Sequence, residues 1–167
     1  ACIRYSGILM EDVEVKPSPS WLKHKLQAIG LKPINNIVDI TNYVLFEMGQ
    51  PLHAFDADQI SNQTIEVKLA QQDEKFVTLD GTEHSMTSAD LMIADSEKNL
   101  CIAGAYGGLN SGVTEKTTRI FLESACFHPA YIRKTSRHHG LHTDASFRFE
   151  RGTDPNITLE ALQRAVQ

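Results

Sequence analysis

A chain of 167 residues has the length of one ordinary domain, and it can bury roughly two-thirds of the surface it exposes when unfolded, so its core needs no staples. With 41% hydrophobic and 22% charged residues, and no apolar run near the roughly 18 residues that cross a bilayer, the composition is that of a soluble globular protein without a membrane span. The formal charge of −5 excludes a surface that grips nucleic acid everywhere, because phosphate binding relies on clustered Lys and Arg; any such contact is local.

The first segment, "ACIRYSGILMEDVEV", alternates apolar and polar residues like a strand and lacks the basic and apolar regions of a secretory signal. The cysteines, Cys2, Cys101 and Cys126, are odd in number and form no C-x-x-C pair. They indicate a reducing, cytoplasmic setting.

In "KPSPSWLKHKLQAIG" the pattern predicts a helix capped by Ser18, with Pro19 at the first helical position, Leu22, Leu26 and Ile29 on one face, and Gly30 as the stop. "NNIVDITNYVLFEMG" predicts a second, capped by Asn35 or Asn36, striped by Ile37, Val38, Thr41, Val44, Leu45 and Met48, and ended by Gly49. "QPLHAFDADQI" has turn chemistry without a period and reads as an ordered loop. From Thr64 the period becomes two: "TIEVKLA", "KFVTLDG", "DLMIAD", "LCIAGAYGG" and "RIFLESACF" are strand-length, with Asp80-Gly81 as the best hairpin turn. "PAYIRKTSRHHG" predicts a helix from Pro129 to Gly140, the next stretch a loop, and Asp154-Pro155 the start of a last helix. That helix runs into Gln167, which suggests a piece of a longer polypeptide. Helices near both ends and strands between, without β-α-β alternation, indicate an α+β fold in layers, a sheet sandwich covered by helices.

Several residues invite chemistry. His53 is either a structural histidine bonded to backbone or a substrate contact. Glu123 interrupts the apolar run "IFLESACF", where a carboxylate must be paired, hydrogen-bonded or functional unless it faces solvent at the strand end. Tyr106-Gly107-Gly108 either lets a ligand approach the backbone or makes a simple turn. "RHHGLH" brings His138, His139 and His142 close in sequence, but no Cys or HExxH pattern accompanies them, and no metal is assigned. Arg133, Lys134, Arg137, Arg148 and Arg151 form a basic run against Asp144 and Glu150, open to phosphate contact or to internal pairing. No P-loop, GxGxxG or GxSxG signature is present.

Taken in order, "NNIVDITNYVLFEMGQPLHAFDADQI", "LDGTEHSM", "LMIAD", "IAGAYGGLNSGV" and "IFLESACFHPAYIRKTSRHHGLHTDASFRFERGTDP" resemble the central editing module of the bacterial phenylalanyl-tRNA synthetase β subunit, its third and fourth structural regions. The resemblance runs from about Trp21 to the end of the chain. It implies that residues 1–167 form one editing module within a longer β subunit, with a sheet sandwich, hydrolysing tyrosine wrongly esterified to tRNA(Phe). It also implies a parental α2β2 assembly with an α subunit that charges tRNA(Phe) using ATP and Mg²⁺, while this module needs no cofactor and lacks aminoacylation activity alone. A non-catalytic module docking tRNA or a subunit is the alternative.

Residue by residue, the resemblance assigns Glu123 to reading the tyrosine hydroxyl and Gly107 to lining the same pocket. His53 falls near the ester, where it orients a water or the terminal ribose, and Asn42 is a polar residue of that site. Thr143 and Ala145 match pocket-wall positions. Lys32 stands where the family more often has arginine, so the charge is kept and bidentate geometry lost.

Overall fold

The computed structural model describes residues 1–167. Its first half runs through strand β1 (Cys2–Met10), helices α1 (Ser20–Ala28) and α2 (Asn36–Met48), and strand β2 (Leu52–Asp56). α1 begins later than Ser18 suggests: Pro19 is the N-cap, and its carbonyl accepts from the N–H groups of Leu22 and Lys23. Ser18 is instead buried, donating its hydroxyl to Asp39 Oδ2 at 2.5 Å, because the fully buried Asp39 carboxylate needs donors. α2 follows its sequence signals closely. Asn35 Oδ1 accepts from Val38 N at 2.9 Å, and Gly49 ends the helix at φ 74°, a left-handed conformation that favours glycine.

The segment read as a loop is strand β2. What makes it a strand is a partner far away in sequence, β9 (Ile120–Phe127), to which it pairs antiparallel from Leu52↔Ser124 to Asp56↔Ile120. Between them lie β3 (Glu66–Leu69), β4 (Lys75–Val77), β5 (Glu83–Ser85), β6 (Leu91–Ala94), β7 (Asn99–Ile102) and β8 (Tyr106–Gly107). β4 and β5 form a hairpin whose turn holds Asp80-Gly81. The chain closes with helices α3 (Pro129–His139), α4 (Asp144–Phe149) and α5 (Ile157–Val166). α4 replaces part of the loop expected there.

The architecture is α+β, with antiparallel sheets and helices. One sheet has the order β1-β9-β2, another β3-β6-β7-β8. Strand alternation gives the first sheet two different faces. Ile120, Leu122 and Ala54 pack against Ile37 of α2 and Leu162 of α5. Phe55, Ala125 and Phe127 turn the other way, onto Ile93, Leu100 and Cys101 of the second sheet, with Ile132 of α3 and Phe149 of α4 closing the end of this core. Each buried Ile, Leu or Phe side chain here contributes roughly 1.5–3 kcal/mol by burial. Glu123 alternates with Leu122 and Ser124, so it lies on the face turned toward the second sheet.

Candidate functional site

Glu123 is 5% exposed. On one side its ladder partner is Gly7 of β1, on the other His53 of β2. Directly paired residues share a face, so the carboxyl and the imidazole stand side by side between the sheets. They open into a cavity of about 80 Å³ whose lining includes Cys101, Tyr106, Gly107 and Ala145. That is well short of the roughly 300–1,000 Å³ of a cofactor or drug-sized ligand pocket.

The two titratable groups are both kept neutral at pH 7 by burial. Removal from water raises the Glu123 carboxyl to about 8, opposed by a hydrogen bond from Tyr5, whose hydroxyl lies 3.0 Å from Oε2. Oε1 has no protein partner. Burial lowers His53 to about 4. The residue keeps some exposed surface, but its Nε2 is out of solvent and without a hydrogen-bond partner. A buried polar atom left unpaired costs about 1–3 kcal/mol, so this nitrogen is one that a ligand or water satisfies at a gain. Phe55 holds the ring edge-on at 4.5 Å between centroids. Burial first, and the nearby Glu123 charge second, also push the Cys101 thiol well up, so Cys101 is an inert part of the wall.

Gly107 has a steric reason to be glycine. A Cβ there would stand 3.2 Å from His53 Cε1, so any side chain crowds the imidazole. Thr143 does not line the cavity. It caps α4, accepting from Ser146 N at 3.1 Å while Ser146 Oγ accepts from Thr143 N at 2.9 Å, and it donates to Ala105 O at 3.1 Å. Ala105 and Ala145 are lining residues, so Thr143 braces that wall from behind. Asn42 is half-buried on α2 and Lys32 is exposed between α1 and α2; neither lines the cavity.

The histidine-rich stretch does not converge on one point. His139 turns inward, Nε2 2.9 Å from Asp90 Oδ2, and Asp90 also accepts from Thr135 Oγ1 at 2.7 Å and Thr87 N at 2.8 Å. This network ties α3 to the start of β6. No group of three or more His, Cys, Asp or Glu is placed to hold a metal ion. The basic run divides: Arg148 meets Asp144 at 3.5 Å and Arg151 meets Glu150 at 2.6 Å, whereas the exposed Arg133, Lys134 and Arg137 of α3 make no ion pair. A larger cleft, about 360 Å³, lies elsewhere, beside β4 and β7. Its lining includes Asn99, which donates to Glu74 at 2.7 Å and whose Oδ1 has no partner.

Sequence reading missed Tyr5, because its partner Glu123 lies on a distant strand and only the alternation of β1 hints at an inward side chain.

A family model described as B3/4 domain matches residues 1–167. Among curated relatives, the chain is 58% identical over 166 residues to the phenylalanine–tRNA ligase beta subunit of Bacteroides fragilis, and 59% identical over 167 residues to that of Porphyromonas gingivalis. Each alignment covers 99% of this chain and 20% of the relative. The beta subunit of Protochlamydia amoebophila is 56% identical over 99% of this chain and 21% of its own length. The chain therefore spans about a fifth of the length of these relatives. No helix is long and apolar enough to cross a membrane. In fold it resembles the crystal structure of an N-terminal fragment of the phenylalanyl-tRNA synthetase beta-subunit from Pyrococcus horikoshii, with a TM-score of 0.54 over 74% of this chain and 39% of that one, at 16% identity. With the family model matched from end to end, the chain belongs to the B3/4 domain family.

Proposed function

We propose that this chain is the editing module of a phenylalanine–tRNA ligase beta subunit, hydrolysing the ester of tyrosine mischarged onto tRNA(Phe). The observation that carries the reading is the pairing of Glu123 and His53, a buried carboxyl beside an imidazole with an unsatisfied Nε2, on one wall of a small cavity between the sheets. An apolar synthetic pocket rejects an added hydroxyl only weakly, so a second site that requires the hydroxyl sharpens the choice. Glu123 supplies the requirement. Its Oε1 gains a partner from a tyrosyl phenol, while a phenylalanyl ring leaves it desolvated and unpaired, a difference of about 1–3 kcal/mol.

In the reaction, water attacks the ester carbonyl carbon, the bond from that carbon to the ribose oxygen breaks, and the oxygen leaves with a proton, giving free tyrosine and uncharged tRNA. His53, neutral with a pKa near 4, is too weak a base to hold a proton at pH 7 and serves by orienting the water through Nε2. Gly107 and Ala145 shape the wall, and Thr143 braces it through Ala105. Asn42 and Lys32, off the cavity, meet the nucleotide end of the substrate. Aminoacylation, with its ATP and Mg²⁺, belongs on this reading to the α subunit of the parent enzyme.

The test is deacylation of Tyr-tRNA(Phe) by the wild-type chain and by Glu123→Ala. Hydrolysis that Glu123→Ala abolishes supports the reading; equal binding of free tyrosine and phenylalanine by the wild type overturns it. The α3 cations that no acidic side chain engages, Lys134 and Arg137 together with Arg133, which donates to the Glu150 carbonyl, favour a second reading, a non-catalytic module that docks tRNA. Tight tRNA binding with neither hydrolysis nor tyrosine preference would select that alternative.

A further inference from the structure

Tyr5 is the one side chain that hydrogen-bonds Glu123. It reaches across because the residue opposite Glu123 on β1 is Gly7, which has no side chain, while Tyr5 pairs with Ala125 one step further along the same face. Tyr5 does not line the cavity; it holds the carboxyl from the β1 side. Without that bond the buried carboxyl is free to rotate about its last torsion, a broad and roughly two-fold one, and neither oxygen has a fixed direction.

We propose that Tyr5 is a specificity-determining positioning residue: by donating to Oε2 it turns Oε1 of Glu123 toward the cavity, so that the remaining hydrogen-bonding capacity is spent on a ligand hydroxyl. This rests on the editing reading above and names the residue that makes the carboxyl selective. The internal phenol is a fixed counterpart of the phenol that the ligand brings, and the two share one carboxyl, one per oxygen. Ionisation strengthens both bonds, since a carboxylate is the better acceptor. The other titratable groups around Glu123 are Cys2 on β1, His53 on β2, Cys101 on β7 and Tyr106 on β8. The two cysteines are pushed up by burial and His53 is pushed down, so none of these three titrates between pH 6.5 and 9.

The experiment measures binding of free tyrosine and free phenylalanine, from pH 6.5 to 9, to the wild-type chain and to Tyr5→Phe, which deletes one oxygen and keeps the ring. In the wild type the preference for tyrosine grows as Glu123 ionises. In Tyr5→Phe the ratio falls by about tenfold or more, phenylalanine affinity is unchanged, and the rising limb moves to higher pH because a bond that favours the carboxylate is gone. A wild type that prefers tyrosine together with a Tyr5→Phe that keeps both the ratio and the limb overturns the role of Tyr5 and leaves the editing reading standing. A wild type without preference overturns both. If Tyr5→Phe fails to fold, 3-fluorotyrosine at position 5 decides: the more acidic phenol moves the limb to lower pH, and an unmoved limb sinks the proposal.

Discussion

Glu123 and His53 are direct partners in the β2–β9 ladder, and burial leaves both uncharged at pH 7, one with a pKa near 8 and the other near 4. They therefore form no ion pair, and each keeps hydrogen-bonding capacity for a guest. This separates their tasks. Removing the imidazole by His53→Ala lowers single-turnover deacylation of Tyr-tRNA(Phe) by about 10²-fold, the weight of losing the group that positions a reactant. The preference of the pocket for free tyrosine over phenylalanine is retained. Loss of both together would assign recognition as well as hydrolysis to His53.

The ends of α2 and α3 were legible because their signals are local. Asn35, Gly49, Pro129 and Gly140 stand at the ends that their backbone chemistry prescribes. Glu123 was legible as the wrong residue type inside an apolar strand. β2 was not, since "LHAFD" becomes a strand only through β9, and nothing within five residues announces a partner so distant in the chain. α4 was missed for a related reason: six residues long, it is held by a capping box in which Ser146 stands where Glu or Gln is the familiar signal. Tyr5 shares the difficulty of a distant partner, 118 residues away in sequence, and the role proposed for it depends on the orientation of the carboxyl.

Gly107→Ala tests how closely the second sheet fits the imidazole. The new methyl would lie 3.2 Å from His53 Cε1, so the ring must shift by a few tenths of an ångström. Misplacing a reacting group by about 1 Å costs roughly 10²-fold. A shift of this smaller size is expected to slow deacylation by roughly three- to tenfold with little loss of thermal stability. Full activity in the variant would show that His53 moves freely and does not orient the water.

Thr143→Val removes both the cap of α4 and the donor to Ala105 O. Loss of a Thr cap costs about 1 kcal/mol, up to 2, which lowers the melting temperature by a few degrees for a domain of this size. Because Ala105 and Ala145 line the cavity, tyrosine binding weakens as well, whereas Thr143→Ser restores both. A valine variant with normal binding would detach the brace from the site.

Reversing Arg133, Lys134 and Arg137 to Glu removes the α3 cations that no acidic side chain engages. Each cation withdrawn from a phosphate reduces the salt dependence of RNA binding by about 0.7–0.9 in log–log slope. The triple variant is expected to bind tRNA(Phe) more weakly with a flatter salt slope, while free tyrosine binds as before. Arg148 and Arg151, already paired with Asp144 and Glu150, should contribute less when replaced.

The pH dependence of stability follows from the burial of Glu123 and His53. Glu123 has a folded-state pKa near 8, above its ordinary 4.5. It therefore contributes stability that is fully present below about pH 4.5 and is lost as pH rises through 8, at most about 5 kcal/mol in all. His53 has the opposite sign: depressed from 6.5 to about 4, its contribution is complete above pH 6.5 and disappears as pH falls through 4. Between pH 6.5 and 9 the Glu123 slope stands clear of His53. Glu123→Gln keeps the shape and cannot ionise, so its melting temperature should gain on that of the wild type across this interval and level off above it. Parallel melting curves for the two proteins from pH 6.5 to 9 would mean that Glu123 does not titrate in this interval and that burial does not hold its carboxyl protonated at pH 7.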